Sequence, residues 1–100
     1  MEKLNNIHPG EILLEEFLIP LDISAYRLAK ETKISSNRIL EIIKKKRSVT
    51  IDTALRLAKY FGTTPDFWLG LQMEYDLRND NLPHLKDINS IKPLTSPPAV

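Results

Sequence analysis

The chain has 100 residues and contains no cysteine. This absence excludes disulfide bonds, thiolate metal sites and cysteine nucleophiles together, and it suits a reducing compartment. Only three glycines are present, and they form no phosphate-cradling loop. The two histidines lie near opposite ends, without a cluster of metal ligands, and His8 is interpreted as a helix cap. The sequence therefore predicts no catalytic residues, no metal, no cofactor and no small-molecule substrate.

Long apolar runs are also absent. No run approaches the roughly 18 residues that a membrane-spanning helix requires. The first six residues lack the pattern of a signal peptide. We therefore expect a cytoplasmic chain without a membrane partner. Its length and its 42% of hydrophobic residues allow one small domain, whose modest core would gain stability from association with a second copy.

Neither sign of charge dominates, since the net charge is +1, but the charges are unevenly distributed. Residues 1–23 carry one basic and five acidic residues, and residues 60–100 carry three basic and five acidic ones. Residues 24–59 carry ten basic and three acidic residues, which gives a net charge of +7. Such a concentration is typical of a surface that faces phosphates, although a solvated basic face without a partner gives the same pattern.

Apolar residues recur at helical spacing in five segments, and no segment alternates as a strand does. Ser24, Ser35, Thr50 and Thr64 are suited to cap four of the helices, because their hydroxyls can accept from exposed N–H groups. The buried stripe predicted for the fourth helix includes Leu55. The sequence therefore predicts an all-α domain of five helices.

The predicted domain covers residues 8–79, and a tail follows over residues 80–100. This tail contains four prolines and few periodic apolar residues. We expect it to be short and irregular.

The second and third predicted helices form a closely joined pair. The first of them covers Ile23 to Lys30, the turn lies at Thr32 to Ile34, and the second covers Ser35 to Ile43. Two short helices that cross steeply can share only a few apolar contacts near their turn. The residues predicted to make these contacts are Leu28, Ala29, Ile34 and Ile39. This layout predicts a helix-turn-helix.

The outer end of the second helix of such a pair enters the major groove of DNA. Ser36, Asn37 and Arg38 occupy that end; asparagine can pair with adenine and arginine with guanine. Ser35 is expected to cap the helix and to contact a phosphate, and Arg27 lies near the start of the preceding helix, where backbone contacts occur. The alternative is that these are ordinary solvated positions.

Four consecutive cations follow the second helix of the pair, and they are expected to supply salt-sensitive affinity for the DNA backbone. A nuclear localisation signal is the alternative interpretation of such a run. The four residues are Lys44, Lys45, Lys46 and Arg47.

Residues from about Ile12 to Leu71 resemble the Cro/C1-type (Xre, lambda-repressor-like) helix-turn-helix domain. Four segments narrow the resemblance to the HigA (VapI-like) antitoxins: His8–Glu11, Tyr26–Ala29, Asp52–Ala58 and Thr64–Leu69. The resemblance implies a repressor that binds its own operator in double-stranded DNA as a homodimer. It also implies the antitoxin of a type II toxin–antitoxin pair, which neutralises an RNA-cleaving HigB/RelE-like toxin.

The family often has glycine at three positions where this chain has other residues. The positions are Asp22, Lys33 and Lys45, and each lies in a loop or at a helix end. Such positions commonly take a left-handed conformation, which costs a non-glycine residue on the order of 1 kcal/mol.

The partner surfaces are predicted less directly. Trp68, Tyr75 and Leu77 are the residues proposed for a dimer interface, because large apolar side chains often anchor one; Phe67 and Leu71 are expected inside the monomer. The alternative is that Trp68, Leu71 and Tyr75 all pack inside the monomer. The acidic residues of the first helix, Glu11, Glu15 and Glu16, either form a solvated face or contact a basic partner.

The sequence also allows a different function: a helix-turn-helix module that binds a toxin or another protein without binding DNA.

Overall fold

A computed structural model describes residues 6–79 and 82–95 of the chain. These residues contain helices and no strand. The first helix begins as an α-helix and continues as a π-helical segment, and five further α-helices follow. Their bounds are α1 Pro9–Ile12 with the π-helical segment Leu13–Leu18, α2 Ala25–Thr32, α3 Ser36–Ile43, α4 Ile51–Phe61, α5 Pro65–Leu77 and α6 Leu85–Asn89.

The residues predicted to cap the helices lie at the N-termini of α1 to α5. Four hydroxyl groups accept a hydrogen bond from the backbone N–H three residues later, at 3.0 to 3.3 Å. They belong to Ser24, Ser35, Thr50 and Thr64. His8 Nδ1 accepts from the N–H of Gly10 at 2.9 Å, which confirms its interpretation as a cap. His8 is nevertheless buried, and its ring meets Tyr75 edge-on at 4.7 Å.

The core is formed by side chains from the π-helical segment of the first helix, from α2 to α5 and from the connections on either side of α3. It comprises twelve buried apolar residues, namely Leu13, Leu18, Leu28, Ala29, Ile34, Ile39, Ile42, Val49, Ala54, Leu57, Ala58 and Trp68. Burial of such side chains is the main stabilising contribution to a small domain. Leu55 is 53% exposed, so its prediction as part of the buried stripe was wrong.

Trp68 corrects the expected dimer interface. Its side chain is fully buried, with ring centroids 5.0 Å from both Phe17 and Phe67 and 6.1 Å from Phe61. Its Nε1 donates to the hydroxyl of Thr63 at 2.8 Å. The indole is therefore satisfied inside the monomer and is not available to a second subunit. Phe67, expected inside, is instead 39% exposed.

The described part of the tail contains α6, where irregular structure was expected. Pro83 precedes the helix and so leaves its hydrogen bonds intact. The N–H of Ile88 donates to the backbone carbonyl of His84 at 2.9 Å, and the hydroxyl of Ser90 donates to the backbone carbonyl of Asp87 at 2.6 Å. Pro97 and Pro98 lie outside the described residues.

Candidate nucleic-acid interface

Helices α2 and α3 form the predicted helix-turn-helix. Lys33 ends α2 in the left-handed conformation, with φ of 61°, and the N–H of Ile34 donates to the carbonyl of Ala29 at 3.1 Å. The four residues predicted to join the helices are all buried: Leu28, Ala29, Ile34 and Ile39. The core of the pair therefore agrees with the sequence pattern.

All three glycine-replacing residues lie at positive φ, as their positions predict. The values are 55° for Asp22, 61° for Lys33 and 66° for Lys45. The turns keep the conformation that glycine would favour, and each of these residues bears the cost of a left-handed backbone.

The outer end of α3 carries the polar residues proposed to contact bases. Ser35, Ser36 and Asn37 are exposed, and the Ser35 hydroxyl caps α3. Ser36 and Asn37 make no side-chain hydrogen bond to the described part of the chain, so their donors and acceptors are open to a ligand. Arg38 lies beside them with its side chain 37% exposed. The structure thus brings these predicted residues together on one end of the helix.

The basic segment Lys44–Arg47 is exposed and follows α3 directly. Two of its cations are paired within the chain. Lys45 Nζ lies 2.6 Å from Glu11 Oε1, a hydrogen-bonded pair that raises the pKa of Lys45 and lowers that of Glu11. Arg47 contacts Glu41 Oε1 at 2.7 Å. Lys44 and Lys46 make no ion pair with the residues described.

Arg27 lies in the first turn of α2, at a distance of 3.3 Å from Glu31, one helical turn later. Glu31 also accepts from the hydroxyl of Tyr60 in α4. This hydrogen bond lowers the pKa of Glu31 and raises that of Tyr60. Arg27 remains 58% exposed, so a phosphate can approach it.

Three residues that support this surface were not predicted from the sequence: Asp52, Arg56 and Gln72. Asp52 and Arg56 of α4 pair with each other, and Arg56 also contacts the turn between α2 and α3. Gln72 of α5 is buried, and its Oε1 accepts from the N–H of Val49 at 2.8 Å, which fixes the backbone two residues beyond the basic segment. The i, i+4 spacing of Asp52 and Arg56 was visible, but their partners lie too far along the chain to be inferred from local patterns.

The described residues contain no helix with the length and apolar character needed to cross a bilayer. Over residues 6–79 and 82–95, no three histidine or carboxylate side chains gather where they could hold a metal ion.

A family model described as helix-turn-helix matches residues 14–68. The fold and this surface therefore define a helix-turn-helix protein. The chain is 48% identical over 90 residues to virulence-associated protein I of Dichelobacter nodosus, covering 90% of this chain and 82% of the relative. It is 32% identical over 92 residues to antitoxin HigA-1 of Vibrio cholerae, covering 92% and 87%.

A solved structure extends the likeness to three dimensions. The Pseudomonas aeruginosa antitoxin HigA with the higBA promoter is 42% identical, with a TM-score of 0.81 over 90% of this chain and 99% of that chain. The chain belongs to the HigA antitoxin family, as its motifs had indicated.

Proposed function

We propose that this chain is a sequence-specific repressor that binds the operator of its own gene through α3 and the basic segment. The observation that carries the proposal is the open end of α3, where Ser36 and Asn37 are exposed next to Arg38 and have no side-chain hydrogen bond within the described residues. Polar side chains at this place in a helix-turn-helix contact base edges. The related HigA structure includes promoter DNA, which supports the same use of the surface here. Such a repressor would act in the cytoplasm, where bacterial DNA lies.

The basic segment would supply the part of the affinity that does not depend on sequence. Lys44 and Lys46 form no ion pair with the part of the chain that the structure describes, so they can contact phosphates directly. Lys45 and Arg47 must first exchange a carboxylate for a phosphate. Exposed ion pairs contribute little, so this exchange is not costly.

We also propose a homodimer formed through α5. This helix buries Trp68 and Gln72 against the core and leaves Met73 and Leu77 61% and 70% exposed, four residues apart on one face. Tyr75 is half-buried beside His8, so only part of its side chain is available to a partner. A two-fold dimer places two recognition helices about one turn of DNA apart, which predicts a pseudo-palindromic operator.

The antitoxin function is proposed from family membership together with the acidic surface of the first helix. Glu15 and Glu16 are exposed and make no ion pair with the described chain, whereas Glu11 is paired with Lys45. Glu16 also borders an apolar groove of about 410 Å³ that includes Phe17 and Phe67. An acidic edge beside an apolar groove suits a basic toxin such as an RNA-cleaving enzyme. Co-expression with the neighbouring reading frame, followed by purification through a tag on that product, tests whether a stable complex forms.

A gel-shift titration tests the DNA function. The probe is a duplex from the region directly upstream of the gene, and a scrambled duplex of equal length is the control. We expect tighter binding to the upstream duplex and a steep loss of affinity between 50 and 200 mM salt. Failure to bind either duplex at low salt would overturn the repressor proposal and favour a protein-interaction module that binds only a toxin or another protein.

A further inference from the structure

Asp52, in the first turn of α4, contacts two arginines through a single oxygen atom. Its Oδ2 lies 3.0 Å from Nε of Arg56 and 3.4 Å from Nη1 of Arg38. Arg38 belongs to α3, the helix proposed to enter the major groove, whereas Arg56 lies one turn further along α4. The carboxylate is thus the link between a proposed base-contacting side chain and the helix behind it.

The second arginine is itself anchored. Arg56 Nη1 donates to the carbonyl oxygens of Thr32 at 3.1 Å and Lys33 at 3.2 Å, where α2 ends and the turn begins. Asp52 therefore has one fixed neighbour, Arg56, and one that can move, Arg38.

We infer that Asp52 is a positioning residue that sets the sequence specificity of Arg38, an inference that rests on the proposed binding to operator DNA. A guanidinium group has five N–H donors, and the contact with Asp52 uses only Nη1. The edge formed by Nε and Nη2 has no partner in the described chain, so it can form the paired hydrogen bonds that guanine accepts. Asp52 restrains Arg38 while leaving that edge free.

The negative charge of Asp52 also favours binding to the correct sequence over binding to unrelated DNA. A carboxylate next to Arg38 repels phosphates, and every DNA duplex presents the same phosphates whatever its base sequence. It also satisfies one donor of Arg38 when no guanine is present. Binding to unrelated DNA is therefore weakened more than binding to the correct site, because only the correct site supplies the bidentate contact.

The experiment measures the ratio of affinities for the upstream duplex and the scrambled duplex in wild type, Asp52→Asn, Arg38→Ala and the double variant. Asparagine keeps an oxygen acceptor for Arg56 and removes the charge. We expect Asp52→Asn to bind the scrambled duplex about threefold more tightly and to lower the ratio about tenfold, the scale of one base contact. In the Arg38→Ala background the same change should leave the ratio unaltered, because Asp52 acts through Arg38.

Asp66→Asn is the matched control, since Asp66 is an exposed acid in the first turn of α5 and forms no pair with an arginine of the described chain. It should leave the ratio unchanged. An unaltered ratio in Asp52→Asn overturns the inference, as does an equal loss in both backgrounds, which would assign Asp52 a structural role through Arg56. Melting curves of each variant show whether the fold is intact. A wild-type chain that does not distinguish the two duplexes refutes the proposed function itself.

Discussion

Gly10 approaches Ile42 so closely that no other residue fits at its position. A β-carbon on Gly10 would lie 1.8 Å from the carbonyl oxygen of Ile42 and 3.1 Å from the α-carbon of Ile43. Both neighbouring atoms are backbone atoms of α3, so they cannot rotate away as a side chain would. The glycine of the His8–Glu11 motif thus allows the first helix to pack directly on α3.

This contact predicts that Gly10→Ala destabilises the fold by about 3 kcal/mol, because α1 and α3 must separate. Gly70→Ala is the control: Gly70 lies inside α5 with open space around its α-carbon. There alanine should stabilise the helix by about 0.5–1 kcal/mol. Urea denaturation measures both free energies of unfolding, and equal effects of the two substitutions would contradict the close-contact explanation.

The free energy of unfolding should fall on acidification because of His8. Burial lowers the pKa of His8 below its ordinary value of 6.5, and its Nδ1 must stay unprotonated to accept from Gly10. The unfolded chain then binds a proton more readily than the folded chain. Stability is therefore full above pH 6.5, declines as the pH falls through 6.5, and levels off below the lowered pKa of the folded state.

Thermal melting between pH 5 and pH 7.5 measures this dependence. His8→Asn is the matched variant, because asparagine also caps a helix but does not titrate. It should be less stable at pH 7.5, since the contact with Tyr75 is lost, and its stability should change less over this range. An identical slope in both proteins would assign the pH effect to another group.

Lys33→Gly should stabilise the protein by about 1 kcal/mol, because glycine adopts φ of 61° without a steric cost. Lys30→Gly, within α2, is the control and should lower the free energy of unfolding by about 1 kcal/mol, because glycine is unfavourable inside a helix. Both substitutions remove one positive charge, so their difference in the free energy of unfolding reports the backbone alone. A destabilised Lys33→Gly would show that the turn is not strained.

Asn37 and Lys46 should differ in how their loss affects DNA binding. Asn37→Ala removes a proposed base contact and should weaken binding to the upstream duplex by about 1–3 kcal/mol, with little effect on the scrambled one. Lys46→Ala should weaken both equally and reduce the slope of log affinity against log salt by about 1. Lys86→Ala, in α6, is the control for loss of charge elsewhere. Identical profiles for the Asn37 and Lys46 variants would refute this division of tasks.

Leu77→Glu should shift the chain from dimer to monomer, because it places a charge on the exposed face of α5 where the two subunits are proposed to meet. Leu94→Glu changes a side chain of similar exposure, 74%, that lies outside α5, and it should leave the dimer intact. Sedimentation equilibrium measures the mass of each variant. A wild-type chain that is monomeric at high concentration would contradict the dimer.

The sequence predicted local features well and long-range ones poorly. The four hydroxyl caps depend on residues three positions apart, so they could be inferred from the sequence alone. The left-handed positions could be inferred only from the resemblance to a family that often has glycine there. The inward face of α5 could not, because apolar side chains occur on several of its sides; the indole of Trp68 points inside, whereas Phe67 is partly exposed. The contacts of Arg56 with the turn span more than twenty residues and have no periodic signal.

The buried amide of Gln72 joins two parts of the molecule that would otherwise be independent. Its Oε1 accepts from the N–H of Val49, two residues beyond the basic segment, and its Nε2 donates to Asp76 within α5 at 3.0 Å. In a dimer built on α5, the two basic segments would therefore keep a constant separation rather than adapt to the DNA. An operator whose half-sites were moved apart by a few base pairs would then lose one of the two sets of contacts entirely, so the spacing of the half-sites would be recognised together with their sequence.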